Sequence, residues 1–393
     1  MTSTRPVSGT PGAATTSTAP GLARPASEAA GPTRPVLEHR ARGQLGILGV
    51  LGLCAAVCLW VVWRTGLDKV RALDLAEATA RGWPTVAVPT DSQYILRQPL
   101  GQLLYRLLPV HGTTIFLGLH ALCLLASGVL LVGWLCRRLG GTSGLLAAMI
   151  VALAPVTAVL LLWIGMYDAF AILAWVVVLV TIGRRPGWQL AAGVLAGFQD
   201  FEQMTVGLLM VALLPGLARA AGLRPRVAYL LAGTVAGKFA LEVYLHAVGA
   251  GPGSRLSYLA RGDVFSGLLA SAAADAPLLA WSALAGLWGF TLKALCDSWG
   301  GWPCHQRAGL VLAVGLWFGA GALGWEYTRV LALTSFPVVV MGAMAIATRW
   351  PDLRVLARLP QTWLLVLAPP VVLVDYTTVQ MGIKPGTWGI WIF

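Results

Sequence analysis

Charge is what this chain has least of: Asp, Glu, Lys and Arg make up 11% of its 393 residues, against about 25% in an ordinary soluble domain. So few charges cannot cover the surface of a large water-exposed fold, which excludes extensive soluble domains. Acid is scarcer than base, with 16 Asp and Glu against 28 Lys and Arg. Cysteine is scarce as well. Of the six, Cys54, Cys58 and Cys123 fall inside apolar runs, and Cys136, Cys296 and Cys304 fall beside arginine-bearing connections. None falls in the segments expected on the opposite side, which removes an outer disulfide framework, and Cys296, Cys304 and His305 match a closed zinc site poorly. The arginines are spread along loop edges without interleaved stacking aromatics, so the formal charge of +12 does not point to nucleic acid.

What the chain has in abundance is apolar sequence: 57% hydrophobic residues and a mean hydropathy of +0.75. Apolar runs long enough to cross ~30 Å of hydrocarbon recur from Gln44 onward, and inside lipid such runs must be helical so that each backbone N–H finds a carbonyl. The expected fold is all-α, a polytopic transmembrane bundle of about eleven crossings. Spans are expected at Gln44–Trp63, Thr114–Leu135, Thr142–Trp163, Ala169–Gly183, Trp188–Phe198, Met204–Leu217, Val227–Val248, Ala276–Leu295, Ala308–Gly324, Val330–Thr348 and Thr362–Val379. Residues 1–43 are rich in Thr, Ser, Pro, Ala and Gly with scattered arginines, and are expected to be a disordered tail ahead of a membrane domain over 44–393. No small-residue cleavage site follows the first run, which is therefore expected to stay as an anchor.

Arginine placement sets the topology. Arg137 and Arg138, Arg184 and Arg185, and Arg219, Arg224 and Arg226 all lie in the cytoplasm only if the chain crosses an even number of times between clusters. That requires a break at Gly165-Met166-Tyr167-Asp168 and another at Gln199-Asp200-Phe201-Glu202. The expected location is a bacterial plasma membrane, with the N-terminus cytoplasmic and the C-terminus outside. Most acidic residues then collect on the outer side, at the ends of spans.

The longest outer segment, 64–113, contains two amphipathic stretches. Leu67, Val70, Leu73 and Leu75 alternate with Asp68, Asp74 and Glu77; after Pro99, residues Leu100, Leu103, Leu104, Leu107 and Leu108 form one helical stripe. Both suit helices lying in the interface plane. The plain alternative is a solvated connection carrying ordinary surface charge.

The segment Leu73-Asp74-Leu75-Ala76-Glu77-Ala78, followed by Gly82, Trp83, Tyr94 and Pro99-Leu100-Gly101-Gln102-Leu103-Leu104, resembles the first outer loop of the GT-C superfamily of polytopic glycosyltransferases. It is similar in particular to the loop in actinobacterial lipid-linked mannosyltransferases, though shorter between the aspartate and the glycine. The resemblance implies an inverting enzyme that moves a sugar from a polyprenyl phosphate carrier to a lipid or cell-wall glycan acceptor, with an essential carboxylate in this loop. The paired acid that the superfamily often places right after its first span is absent. Asp74 and Asp91 are therefore rival catalytic positions, with Asp68 third.

Such a transfer needs a carboxylate to accept the acceptor's hydroxyl proton and cations to stabilise the departing phosphate. Glu326 and Arg329 flank the start of an apolar run, where Arg329 suits a phosphate fork or an ion pair capping two helices. Arg255 offers a second cationic site. Asp168, Asp200 and Glu202 line a donor or acceptor pocket, bind a divalent metal through oxygen, or simply end short helices. Lys238, Glu242 and His246 recur every four residues on one face, as an internal Lys238–Glu242 pair or a substrate contact. The same trio would be the coupling site of a secondary transporter or lipid flippase, the main alternative; a non-catalytic membrane scaffold is a third.

Overall fold

The computed structural model describes residues 73–87, 95–223, 226–250, 262–322 and 327–368, with a few residues near 56–60 and three short strands beyond 370. The expected tail over 1–43 and nearly all of the first span lie outside the described residues. Trp60 is described, and its indole N–H donates to the Val366 carbonyl at 3.2 Å.

The body is helical. Two short helices come first, α1 (Leu73–Gly82) and α2 (Pro99–Arg106). Then follow α3 (Thr113–Leu139), α4 (Gly141–Leu153), α5 (Pro155–Leu162), α6 (Asp168–Thr181), α7 (Pro186–Leu213), α8 (Pro215–Ala220) and α9 (Val227–Ala247). The chain continues through α10 (Gly262–Ala274), α11 (Ala276–Leu284), α12 (Trp288–Ser298), α13 (Cys304–Ala322), α14 (Tyr327–Arg349), α15 (Leu353–Ala357) and α16 (Pro360–Leu367). Among the described residues four helical stretches are long and apolar enough to cross a membrane: α3, α9, Ala276–Gly301 and α14. A fifth is added if the bent pair α4–α5 counts as one span. Apolar side chains such as Leu122, Leu125 and Val129 on α3 and Phe239 on α9 face outward, as lipid-facing surfaces require.

Several expected spans are corrected. Thr142–Trp163 is not one straight helix, because Pro155 cannot continue α4 and the chain bends by 60° there. Thr362–Val379 does not form a span: α16 stops at Leu367. The chain then forms a short three-stranded antiparallel ribbon, β1 (Val371–Asp375), β2 (Thr378–Met381) and β3 (Trp391–Ile392), beside a body that is helical as expected. Ala276–Leu295 is interrupted by a 3-10 turn at Ala285–Leu287 that opens with Ala285 at φ 43°. The segment before it contains α10, where a loop was expected. Met204–Leu217 is cut at Leu214 by Pro215.

Two expected breaks are present. α5 ends before a turn in which Gly165 and Tyr167 take positive φ, and α6 starts at Asp168. α7 is interrupted at Asp200, whose backbone is extended (φ −159°, ψ 85°). The side chain of Gln199 reaches the Tyr167 carbonyl at 3.4 Å, so the first limb of α7 ends beside the start of α6. Seven residues past Asp200, Gly207 packs against Trp175, midway along α6. The second limb therefore runs back in the direction of α6, and the chain reverses at Asp200.

Glycine spacing welds the first limb of α7 to α9. Gly193 and Gly197 face Gly233 and Gly237, two G-x-x-x-G pairs, and a Cβ on Gly197 would lie 2.0 Å from the Thr234 carbonyl oxygen. Small residues at this spacing let membrane helices meet backbone to backbone.

These contacts sort the bundle's two ends. One end gathers the starts of α3, α6 and α14 with the Asp200 reversal. The other holds Arg138, which donates to the Gly222 carbonyl after α8, together with the α6–α7 turn at Arg184 and Arg185.

Candidate functional site

The acidic end is built from short polar elements set on long apolar helices. α2 carries its leucines outward, with Leu103, Leu104 and Leu107 exposed, and turns Gln102 and Tyr105 inward. Such inverted amphipathicity suits a helix lying on lipid. α1 packs against it, burying Leu73, Ala76, Glu77 and Ala80.

Asp74 lies on the exposed face of α1, where Thr113 donates to its Oδ1 at 3.4 Å. Three residues on, Glu77 is 3% exposed and receives hydrogen bonds from Tyr105 and Arg81. Burial alone would raise the Glu77 carboxyl, but the bonds from Arg81 and Tyr105 and the nearby positive charge outweigh it and hold the group below its usual range. Burial, with Glu77 adjacent, pushes the Tyr105 phenol up. Glu77 is thus a clamp joining α1 to α2, a role that sequence reasoning missed; its signal was the polar stripe Gln102 and Tyr105 opposite the leucines.

Deeper in, Arg329 at the start of α14 donates from Nε to Asp168 Oδ2 at 2.6 Å and from a terminal nitrogen to the Met166 carbonyl at 2.7 Å. Its guanidinium lies 5.3 Å from the Trp163 ring centroid, and both ion-pair side chains are 1% exposed. The arrangement found is neither the phosphate fork nor the interfacial pair expected from the sequence at Glu326 and Arg329: Arg329 is turned into the protein and paired with Asp168. Tyr167 between them donates to the Ala76 carbonyl at 2.6 Å, which fixes α1 over the mouth of α6.

At the reversal, Asp200 accepts from the Gln203 backbone N–H at 3.2 Å and from the Gln98 side-chain amide at 2.9 Å. The first is an N-cap for the returning limb, and Asp-x-x-Gln at 200–203 was its signal in the sequence. Gln199 accepts from the Leu100 N–H at 3.1 Å, so one turn of α7 holds both Gln98 and Leu100. Beside it, Arg97 contacts both oxygens of Glu242, at 2.9 and 3.3 Å, while Lys238 reaches Oε1 at 2.8 Å. The Lys238–Glu242 pair was legible from i,i+4 spacing; Arg97 as third member was not. His246 is exposed one turn further on. Arg97, Gln98, Gly197, Asp200, Phe201, Glu202 and Lys238 line a small cleft.

Asp91, Arg255 and Glu326 lie outside the described residues. The structure therefore brings together Asp200, Glu202 and Lys238 at one cleft and Asp168 with Arg329 in a neighbouring layer, and sets Asp74 on the roof above. Among the described residues no group of three His, Cys, Asp or Glu side chains is gathered to hold a metal ion. Comparison of the chain with protein-family models, with curated proteins and with solved structures finds no match.

Proposed function

We propose that this protein is an extracytoplasmic, GT-C-like glycosyltransferase that takes a sugar from a polyprenyl phosphate carrier to a lipid or cell-wall glycan acceptor. The observation that carries the reading is the roof over the acidic end: a lipid-facing leucine helix, α2, clamped to a carboxylate-bearing helix, α1, directly above the mouths of broken helices. A polyprenyl chain in the bilayer would present its phosphate at that depth. Asp74, on the exposed face of α1, and Asp91, which lies outside the described residues, are the carboxylates proposed to take the hydroxyl proton. Arg81, which also bonds Glu77, and Arg106, which also bonds the Trp83 carbonyl, are exposed on the same helices and are the cations proposed for a departing phosphate, whereas Arg329 is buried against Asp168. In this reading the arginine end of the bundle is cytoplasmic and the roof over the acidic end is outside. Membranes carrying the protein should transfer labelled sugar from polyprenyl phosphate carriers to endogenous acceptor. Asp74→Asn or Asp91→Asn should abolish transfer while leaving expression and thermal stability intact; full activity in both variants would sink the proposal.

One feature favours a second reading, a secondary transporter or lipid flippase: the reversal at Asp200 sits beside the Arg97–Glu242–Lys238 cluster, as discontinuous helices do at transport sites. Ion-coupled uptake into proteoliposomes, lost on Glu242→Gln and indifferent to Asp74→Asn, would establish that reading instead.

A further inference from the structure

α7 and α9 run side by side in the same direction, and both start at the arginine end. A Cβ on Gly193 would lie 2.3 Å from the Leu230 carbonyl oxygen, and one on Gly233 would lie 2.3 Å from that of Leu190. α7 begins at Pro186, four residues before Leu190, and α9 at Val227, three before Leu230. With a rise of about 1.5 Å per residue, the two N-termini therefore lie at one level. Each is preceded by an arginine where an acceptor side chain is usual: Arg185 and Arg226 are the N-cap residues, and neither helix has a side-chain cap hydrogen bond. A cation at the positive end of a helix is unfavourable, and here two such ends stand together with Arg184 alongside. The side chains of Arg184, Arg185 and Arg226 are exposed, and none of the three makes a hydrogen bond or ion pair among the described residues. Asp297 and Asp352, acids at the same end, are engaged elsewhere, the first by Lys293 and Arg349 and the second by the first turn of α15. Gly187, the second residue of α7, has open space where a side chain would stand. Gln189, fully buried in the same turn, donates to the Arg184 carbonyl at 3.2 Å and has no partner at Oε1 among the described residues, so the turn holds an unmet acceptor beside its cations. Beneath the arginines the surface becomes apolar: Trp188 and Tyr229 are exposed in the first turns, then Leu190 and Val194 on α7 and Val235 and Phe239 on α9. Cations above amphipathic aromatics above apolar side chains match a lipid's headgroup, interfacial and acyl regions in turn; a soluble anion would use the cations alone. We infer that this end of the α7–α9 seam holds an anionic phospholipid of the surrounding bilayer, its phosphate against Arg184, Arg185 and Arg226 and its acyl chains along the exposed apolar stripe of the two helices. The site lies at the opposite end of the bundle from the α1–α2 roof and does not depend on the glycosyltransferase reading.

Full-length protein in a mild detergent would be titrated with phosphatidylglycerol or phosphatidylcholine of the same acyl chains and binding read by native mass spectrometry, with thermal unfolding in nanodiscs of each lipid alongside. Phosphatidylglycerol should bind in preference to phosphatidylcholine and raise the melting temperature. Each basic residue at an anionic surface is worth roughly fivefold in binding, so Arg226→Gln should weaken phosphatidylglycerol binding about fivefold and the triple variant Arg184→Gln, Arg185→Gln, Arg226→Gln about a hundredfold. Phosphatidylcholine binding, and stability in phosphatidylcholine nanodiscs, should be unchanged in both. The double variant Arg354→Gln, Arg358→Gln removes two exposed arginines beside α15 at the same end and should leave phosphatidylglycerol binding intact. No preference for phosphatidylglycerol, an equal loss in the Arg354 and Arg358 control, or displacement of the lipid by millimolar inorganic phosphate would overturn the inference.

Discussion

Arg329 and Asp168, 161 positions apart in sequence, meet at 2.6 Å with both side chains sealed from solvent. Breaking one partner of a buried pair strands a charge and typically costs about 3–5 kcal/mol, far more than the net worth of the pair. Arg329→Met and Asp168→Leu alone should each lower the thermal midpoint strongly in detergent, and the double variant should recover much of the loss. A double variant as unstable as the sum of the singles would show that the two groups do not act as a pair.

The α7–α9 seam makes a prediction that depends on spacing alone. Gly197→Ala places a methyl 2.0 Å from the Thr234 carbonyl oxygen, whereas Gly128 on α3 has nothing within 4 Å of its Cβ position. Overpacking of this kind costs about 1–3 kcal/mol. Gly197→Ala should therefore destabilise the protein in thermal unfolding, and Gly128→Ala should not. Equal effects would mean that the two helices are not in backbone contact.

Legibility from sequence divides along the same lines. Long apolar runs, such as those that became α3, α9 and α14, were readable because composition and length alone decide a span, and α14 continues through its internal Pro337. The break at Asp200 was readable by charge parity, since arginine clusters on both sides demanded a return. Pro155 and Pro215 were visible yet passed over, because hydropathy outweighed the missing N–H in placing those spans. What was not readable is pairing between distant elements. Nothing local joins Arg97 to Glu242, Tyr105 to Glu77, or Gly197 to Thr234, so Glu77 was named among the loop acids but its burial and its bond to Tyr105 were not foreseen. The strands after Leu367 were missed because a run such as Val371–Asp375 is apolar enough to continue a helix.

Glu77 has a definite pH signature. Its carboxyl is held below the usual range in the folded protein, so the folded state favours the ionised form. The stability it contributes is complete above the ordinary glutamate pKa and is lost as pH falls through the depressed one. Glu77→Gln should lower the melting temperature at neutral pH, and the gap to the wild type should close as the pH is taken down through the carboxylate range. A constant gap across that range would mean that charge at Glu77 does not tie α1 to α2.

The two-ended distribution of charge fixes a labelling pattern. Arg185 and Arg219 flank the reversing helix and its continuation, and both lie at the end where Arg138 meets Gly222; Arg81 is exposed on α1 at the opposite end. If lysine and arginine mark the cytoplasmic face, single cysteines in a cysteine-free background will divide in the same way. Arg81→Cys should react with a membrane-impermeant maleimide in intact cells. Arg185→Cys, Arg219→Cys and the native, exposed Cys304 should react only after permeabilisation. Opposite reactivity of Arg185→Cys and Arg219→Cys would mean that the chain does not turn back at Asp200. Labelling of that pair in intact cells, with Arg81→Cys protected, would invert the orientation and place the α1–α2 roof on the cytoplasmic side, where an extracytoplasmic sugar transfer has no substrate.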